Sequence, residues 1–462
     1  MENMSDVKVL AKEREDMYRN LLSGRIPSRI PISGAMGLDS AIKYCQMDVA
    51  EVYWDFSKAE AALDKVCQDF PSDSAPGVGR RYPSYYQILG SKPFIMSSDG
   101  TMQHPNVAGM TAEDYDDFIA SPYDCIVDKI LPRLYTGLDT DSNTKAMTLS
   151  KAMKVQSDDA AVIGGISARL NAKYGFVSMA GGATTGPYDF MADFFRSFTG
   201  ISSDIRRIPQ KVIEACEAIT PILIKKGKPL GPSTFGQVGI PLHMGPFMRE
   251  KDFEKFYWPT LKKQVEAITE MGINVNLFVE HDFMRFLDYF YELPPHTILR
   301  FEYGDPKIVK EKLGKKHILS GFYPLVMLHS ATKEQCIDKA KELIDILAPG
   351  GNYMFGFDKG AMDMHGSISE NLKAVLEYVY INGRYDDYYK GDNKDPHEAL
   401  KLKRRSEIIN EIDKSINSKY FTVWEKYRES HPELDGRPLN IIGPKIQKYE
   451  DMMFNFIINL CS

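Results

Sequence analysis

The 462-residue chain is 43% hydrophobic, which supports one large core with an appendage or two ordinary domains, and a single large α/β unit with extensions is the simpler arrangement. Its formal charge of −6 and scattered Lys and Arg exclude a nucleic-acid footprint, and the basic run at 401–405 reads as a solvated helix face. Six well-separated cysteines without a C-x-x-C pair, a charged N-terminus and the lack of any apolar run of roughly 18–20 residues exclude an all-cysteine metal site, a signal peptide and a membrane span, so a soluble cytoplasmic protein is expected.

Along the chain, residues 6–23 read as an amphipathic helix, with Val7, Leu10, Ala11, Met17, Leu21 and Leu22 at helical spacing and Gly24 placed to stop it. Arg29-Ile30-Pro31-Ile32 reads as a first short strand entering a stretch with Gly34 and Gly37. From there to about 160 few elements are legible: 71–83 is a breaker-rich loop carrying Arg80 and Arg81, and 113–117 is too acidic for a core. Residues 176–180 form a strand that opens into a flexible Gly181-Gly182 loop. A helix from Pro209 to Lys228 turns Val212, Ile213, Cys216, Ile219 and Ile222 inward, and a strand-like run at 231–237 follows. The next helix carries Phe253, Phe256, Tyr257, Leu261, Val265 and Ile268 on one face, should kink at Trp258-Pro259, and ends at Gly272.

After Gly272 one pattern repeats: a short apolar run ends abruptly and a helix-like stretch follows. The runs are 274–279 ending at Glu280, 297–301 ending at Glu302, 317–322, and 353–357 ending at Asp358; a capping box at Thr332 and Gln335 opens the helix before the last of them. Continuous apolar runs alternating with helices imply parallel strands buried on both faces and joined by right-handed crossovers. About eight such units fit between 29 and 383, and the chain lacks a G-x-G-x-x-G or Walker-type loop, so a closed (β/α)8 TIM barrel is favoured over an open doubly wound sheet. The expected organisation is an N-terminal helical extension at 1–28, the barrel at 29–383 and a C-terminal helical segment at 384–462 acting as a packing layer, cap or dimer arm.

In such barrels the ligand sits where the strands end. Glu280, Glu302 and Asp358 therefore point at one spot, although each acid could instead serve a helix N-terminus or pair with a nearby lysine. Neighbouring carboxylates repel unless a cation or a shared proton lies between them, which leaves a divalent metal or acid–base catalysis by a carboxylate pair. His243 and His281 are the histidines best placed to join; His317 begins its strand at the opposite end, and His365 reads as a loop residue. Phe235, Phe278, Tyr303, Phe322, Tyr323 and Phe357 fall at or beside strand ends, where they could wall a flat apolar pocket or simply be core.

The order of several segments resembles the uroporphyrinogen decarboxylase superfamily, and within it the cobamide-dependent methyltransferase branch. The segments are Arg25-Ile26-Pro27-Ser28-Arg29-Ile30-Pro31-Ile32, Gly245-Pro246-Phe247 ahead of the helix through Tyr257-Trp258-Pro259, the strand after Gly272 ending at Glu280, Gly314 to Gly321 with Pro324, and Glu370-Asn371-Leu372 followed by Gly383-Arg384-Tyr385. The resemblance implies a TIM barrel that moves a methyl group between a small substrate and a corrinoid (cobalamin) held by a partner protein, usually with zinc at the strand ends. Thiol-specific members carry His-x-Cys at the strand end where this chain has Phe278-Val279-Glu280, and a further Cys where it has Phe357-Asp358-Lys359. Oxygen ligands leave a harder centre suited to ether oxygen. The resemblance thus implies a member like the first methyltransferase of bacterial O-demethylases. In it Glu280 and Glu302 would hold the metal, His281, Asp358 or His243 would complete its shell, and the aromatic wall would orient a methoxyaryl ring. The alternatives are a tetrapyrrole-type decarboxylase using Arg80, Arg81, Arg196, Arg206 and Arg207, a methylamine or other non-ether donor, and a non-catalytic corrinoid-protein adaptor; a homodimer is compatible with each.

Overall fold

The computed structural model describes residues 4–461 apart from 33–35, 80, 179–180, 229–234, 362–363, 392–397, 435 and 437. Five apolar runs form a parallel sheet in chain order: β1 (Gln237–Leu242), β2 (Asn274–Val279), β3 (Ile298–Phe301), β4 (Ile318–Tyr323) and β5 (Gly356–Phe357). Single parallel bridges carry the sheet further in both directions: Leu319 to Tyr353, Ile32 to Phe355, Gly37 to Gly77, and Ala183 to Gly239. The staves thus run in sequence order around a (β/α)8 barrel, and the first three contain residues 29–32 with 36–37, 73–77 and 181–183. The strand foreseen at 231–237 lies mostly outside the described residues; among the described ones, β1 begins at Gln237.

The N-terminal helix, Met4–Leu22, is the barrel's floor. Met17, Tyr18 and Leu21 form a separate apolar cluster with Val177, Phe235, Ile298, Ile318 and Met354, residues that begin or precede their staves. From the same helix Arg14 fastens the seam between the second and third staves, donating to the carbonyls of Ser72 (3.1 Å), Tyr174 (2.6 Å) and Gly175 (3.1 Å) and to Asp73 Oδ1 (3.2 Å).

The Gly181-Gly182 stretch is a close backbone approach rather than a flexible loop. A Cβ at Gly181 would stand 1.8 Å from the Gln237 carbonyl oxygen, and one at Gly182 would stand 1.9 Å from that of Gly227, so only glycine lets this stave reach β1. Besides the second stave and a short antiparallel pair, 95–96 with 102–103, the described residues from 38 to 174, hard to read in sequence, are mostly helical and end in the 33-residue helix Ser142–Tyr174. Within the acidic 113–117 stretch Asp114 and Tyr115 enter the core, while Glu113, Asp116 and Asp117 stay exposed. Asp114 is buried because Arg133, Lys129 and the Thr111 backbone surround it, and Tyr115 donates to the buried Asp204 at 2.9 Å. The helix through Phe253 contains a π-turn, Phe253–Tyr257, immediately before Pro259; the missing proline N–H locates this change of winding where a kink was foreseen.

The C-terminal helices pack on their own chain. Lys225, buried in helix Pro209–Gly227, is paired with Asp413 and Asp451 at 2.7 Å each, one on helix Glu398–Ser415 and one on helix Leu439–Asn459. Phe454 stacks on Tyr123 (5.4 Å between centroids), and Tyr135 donates to the Leu460 carbonyl at 2.6 Å. Among the described residues no helix is long and apolar enough to cross a membrane.

Candidate active site

Strand parity sets which side chains reach the barrel's open end. Phe278 pairs in register with Arg300, and the Glu302 amide donates to the Val279 carbonyl (3.0 Å), continuing the ladder one step beyond both strands. Glu280 and Glu302 therefore leave β2 and β3 as neighbours on the inner face, the face that carries Phe278 and Arg300. Arg300 lies beneath them, its guanidinium 4.6 Å from the Phe278 ring centre and its Nε donating to the Phe357 carbonyl at 3.2 Å. Burial pulls its pKa down, against the opposing pull of Asp358, Glu280 and Glu302.

Most of these acids already have partners. Glu302 accepts from Lys359 Nζ and from the His281 backbone, each at 2.9 Å. Burial raises its pKa, but those two hydrogen bonds outweigh it and hold the carboxyl below its ordinary range. Asp358 Oδ1 accepts from the Leu325 and Lys359 amides at 3.1 and 2.8 Å. The His281 ring packs edge-on against Phe247, 5.5 Å away, and it is the backbone of His281 that serves Glu302.

His243, one residue past β1, gathers the remaining charge. Its Nδ1 is 2.5 Å from Asp193 Oδ2 and its Nε2 is 3.3 Å from Glu280 Oε1. Burial opposes a charge on the ring, yet the hydrogen bonds to Asp193 and Glu280 and the field of Asp193 and Asp189 prevail and push its pKa up to about 11. His243 is therefore an imidazolium at neutral pH. Behind it, Asp189 is fully buried and accepts from the amides of His243 (3.2 Å) and Met244 (2.8 Å) and from the Tyr257 hydroxyl (2.5 Å). Burial, then repulsion from Asp193, raises Asp189 to about 7. Both aspartates lie on the helical segment 187–196, whose second part, Met191–Arg196, is a π-turn. Sequence reading passed over them. The available signal was two acids four residues apart inside the apolar run of Tyr188, Phe190, Met191, Phe194 and Phe195.

His243 and Asp193 line a cavity of about 630 Å³ whose wall includes the rings of Tyr53, Tyr82, Tyr85, Phe194 and Phe456. None of the aromatic residues singled out from sequence lines it. Phe235 is at the closed end, against Tyr18 and beneath Arg19. Because Asp358 faces inward, Phe357 faces outward into the helix layer, against Tyr323 and Phe355. Phe322 stacks on Phe301 at 5.1 Å, Phe278 lies under Arg300, and Tyr303 is 60% exposed.

The zinc set implied by the family resemblance does not fit this arrangement. Glu302 holds a lysine, Asp358 caps two amides, the His281 ring is turned to Phe247, and among the described residues no three His, Cys, Asp or Glu side chains converge as metal ligands. A structural or catalytic zinc would stabilise the fold by about 2.7 kcal/mol at a hundred times its dissociation constant. Neither zinc addition nor prolonged chelation is expected to shift the thermal midpoint; a saturable rise with zinc would contradict this assignment.

Parallel staves in sequence order, a plugged floor and ionisable side chains at the strand C-termini define the TIM-barrel architecture, whose sites lie at this end. A model of the uroporphyrinogen decarboxylase (URO-D) family matches residues 126–380, more than half of the chain, and the chain belongs to that family. Among solved structures it is similar to a methyltransferase from Methanosarcina mazei at 14% identity, covering 81% of this chain and 98% of that one, with a TM-score of 0.49. No curated protein matches.

Proposed function

We propose that this protein moves a methyl group from a methoxylated aromatic substrate to the cobalt(I) corrinoid of a partner protein, with His243 as the acid for the departing oxygen. The observation that carries this reading is an imidazole held between the carboxylates of Asp193 and Glu280 and lining a cavity walled by aromatic rings. The rings hold a flat donor with its ether oxygen at His243. As the methyl carbon leaves for its acceptor, the C–O bond breaks and its electron pair stays on oxygen. That oxygen takes the proton from Nε2, and the phenol departs. At 3.3 Å the contact of Nε2 with Glu280 is long for a charge-assisted bond, so an ether oxygen can compete for the proton. Asp193 is a positioning residue: at 2.5 Å it fixes the ring and sustains its charge. Asp193 and Glu280 raise the ring's pKa, so the proton stays on the imidazole until negative charge builds on the departing oxygen.

Two of the arginines that a decarboxylase would need are engaged elsewhere. Arg196 binds Asp204 and Arg206 binds Asp252, while Arg81 lines the cavity and Arg80 lies outside the described residues. The test is product analysis after mixing the protein with a reduced corrinoid protein and a panel of aryl methyl ethers, methylamines and methanol. Aryl ethers are expected to give phenol and methylated corrinoid in equal amounts. Methyl transfer from amines alone, or no transfer from any donor, would reject the proposal.

A further inference from the structure

We propose that Asn455 and Asn459 on the C-terminal helix Leu439–Asn459 are specificity-determining residues that bind a carboxylate on the ring of the methyl donor; this rests on the methyl-transfer reading above and names its substrate more narrowly. The two are one turn apart and both line the cavity that His243 faces. Neither side-chain amide has a hydrogen-bond partner among the described residues, whereas their neighbours Phe454, Phe456, Ile457 and Ile458 are buried. Polar groups held on a well-packed helix and turned into an aromatic cavity are pre-organised donors for a ligand.

The helix is fixed from several sides. Phe456 meets Tyr85 at 6.0 Å, Phe454 stacks on Tyr123, and Asp451 is bound by the buried Lys225. Charge selects the ligand class. The lining carries Arg81, Lys226 and Lys228 against Asp39 and Asp193, and Asp193 is already bound to His243, so the field within favours an anion. A carboxylate accepts from both amides and lies in that field, whereas a ring hydroxyl would gain little from it. The family match ends at residue 380, so this wall is supplied by a segment beyond it. The shared barrel supplies His243 and Asp193, and the appended helix reads the substrate.

The test is isothermal titration of the full chain with 4-methoxybenzoate, 4-methoxyphenol and methoxybenzene, in the absence of any corrinoid, followed by methyl-transfer kinetics. The wild-type protein is expected to prefer 4-methoxybenzoate. Asn455→Leu/Asn459→Leu should weaken that ligand by roughly tenfold to a hundredfold, the loss expected for a hydrogen bond to a charged group, and leave methoxybenzene unchanged. Asn455→Asp, of nearly the same size, should weaken 4-methoxybenzoate alone through repulsion and serves if the double variant fails to fold. Equal losses for all three ligands, no loss, a preference for 4-methoxyphenol, or no binding would overturn the inference. Selective binding lost in the variants without methyl transfer by the wild type would leave the inference standing and remove the methyl-transfer reading. Methyl transfer with unchanged ligand preference in the variants would do the reverse.

Discussion

Replacing His243 by glutamine is expected to lower kcat for an aryl methyl ether by about 10²–10⁴-fold, the range that a positioned proton donor contributes. The magnitude follows from the neighbourhood of the ring. Asp193 and Glu280 flank its two nitrogens, and together with Asp189 they keep the proton on a group that burial alone would neutralise. Glutamine offers an N–H near the Nε2 position but no transferable proton. Substrate binding should therefore change little and the loss should fall on kcat. Asp193→Asn tests the same point from the other side: it keeps the shape, removes the charge that sustains the imidazolium, and should reduce kcat by a smaller factor. Steady-state kinetics of the three proteins on one donor checks both statements. A rise in KM with kcat intact would assign His243 to binding alone.

Asp73→Ala is expected to destabilise the fold by about 3–5 kcal/mol, the cost typical of breaking a buried ion pair from one side. Asp73 is 0% exposed and accepts from Arg14 Nε (3.2 Å), from Arg29 through both Nη1 (2.7 Å) and Nη2, and from the Ile32 amide (2.8 Å). Alanine leaves two nearly buried guanidinium groups without a counter-charge and one amide without an acceptor. The position amplifies the effect, because Arg14 joins the floor helix to the second and third staves. Urea unfolding should show the midpoint fall, and the Asp73→Ala/Arg14→Met pair should lose less than the sum of its single changes, since both remove the same Arg14–Asp73 contact. Additive losses would mean that the two side chains act independently.

The second half of the barrel was legible because its strands are continuous apolar runs. Residues 274–279 and the run beginning at 297 were placed within a residue of β2 and β3, and the Thr332–Gln335 capping box is present with both of its hydrogen bonds. The first half was not, because its staves are only a few residues long, flank segments outside the described residues, and are separated by helices whose inward positions are often tyrosines such as Tyr53, Tyr85 and Tyr86. The strand-end aromatics scatter for more than one reason: Phe235 lies at the closed end and Tyr303 is exposed, while strand parity accounts for Phe357. A run apolar on both faces does not say which parity points inward, and a shift of one residue moves a ring such as Phe357 from the mouth to the helix layer. Asp189 and Asp193 escaped because they meet His243 through tertiary packing across fifty residues of chain. Asn455 and Asn459 escaped for the same reason, more than two hundred residues from the nearest barrel residue they share a cavity with, His243.

Proton delivery from His243 to the departing oxygen makes the rate of methyl transfer depend on the leaving group. Single-turnover decay of the cobalt(I) spectrum should be followed for wild type and His243→Gln across aryl methyl ethers whose phenols range from weakly to strongly acidic. The deficit of the variant should be greatest for the least acidic phenol and shrink towards none for a nitrophenol, which leaves without help. The same deficit for every donor would contradict proton delivery by His243.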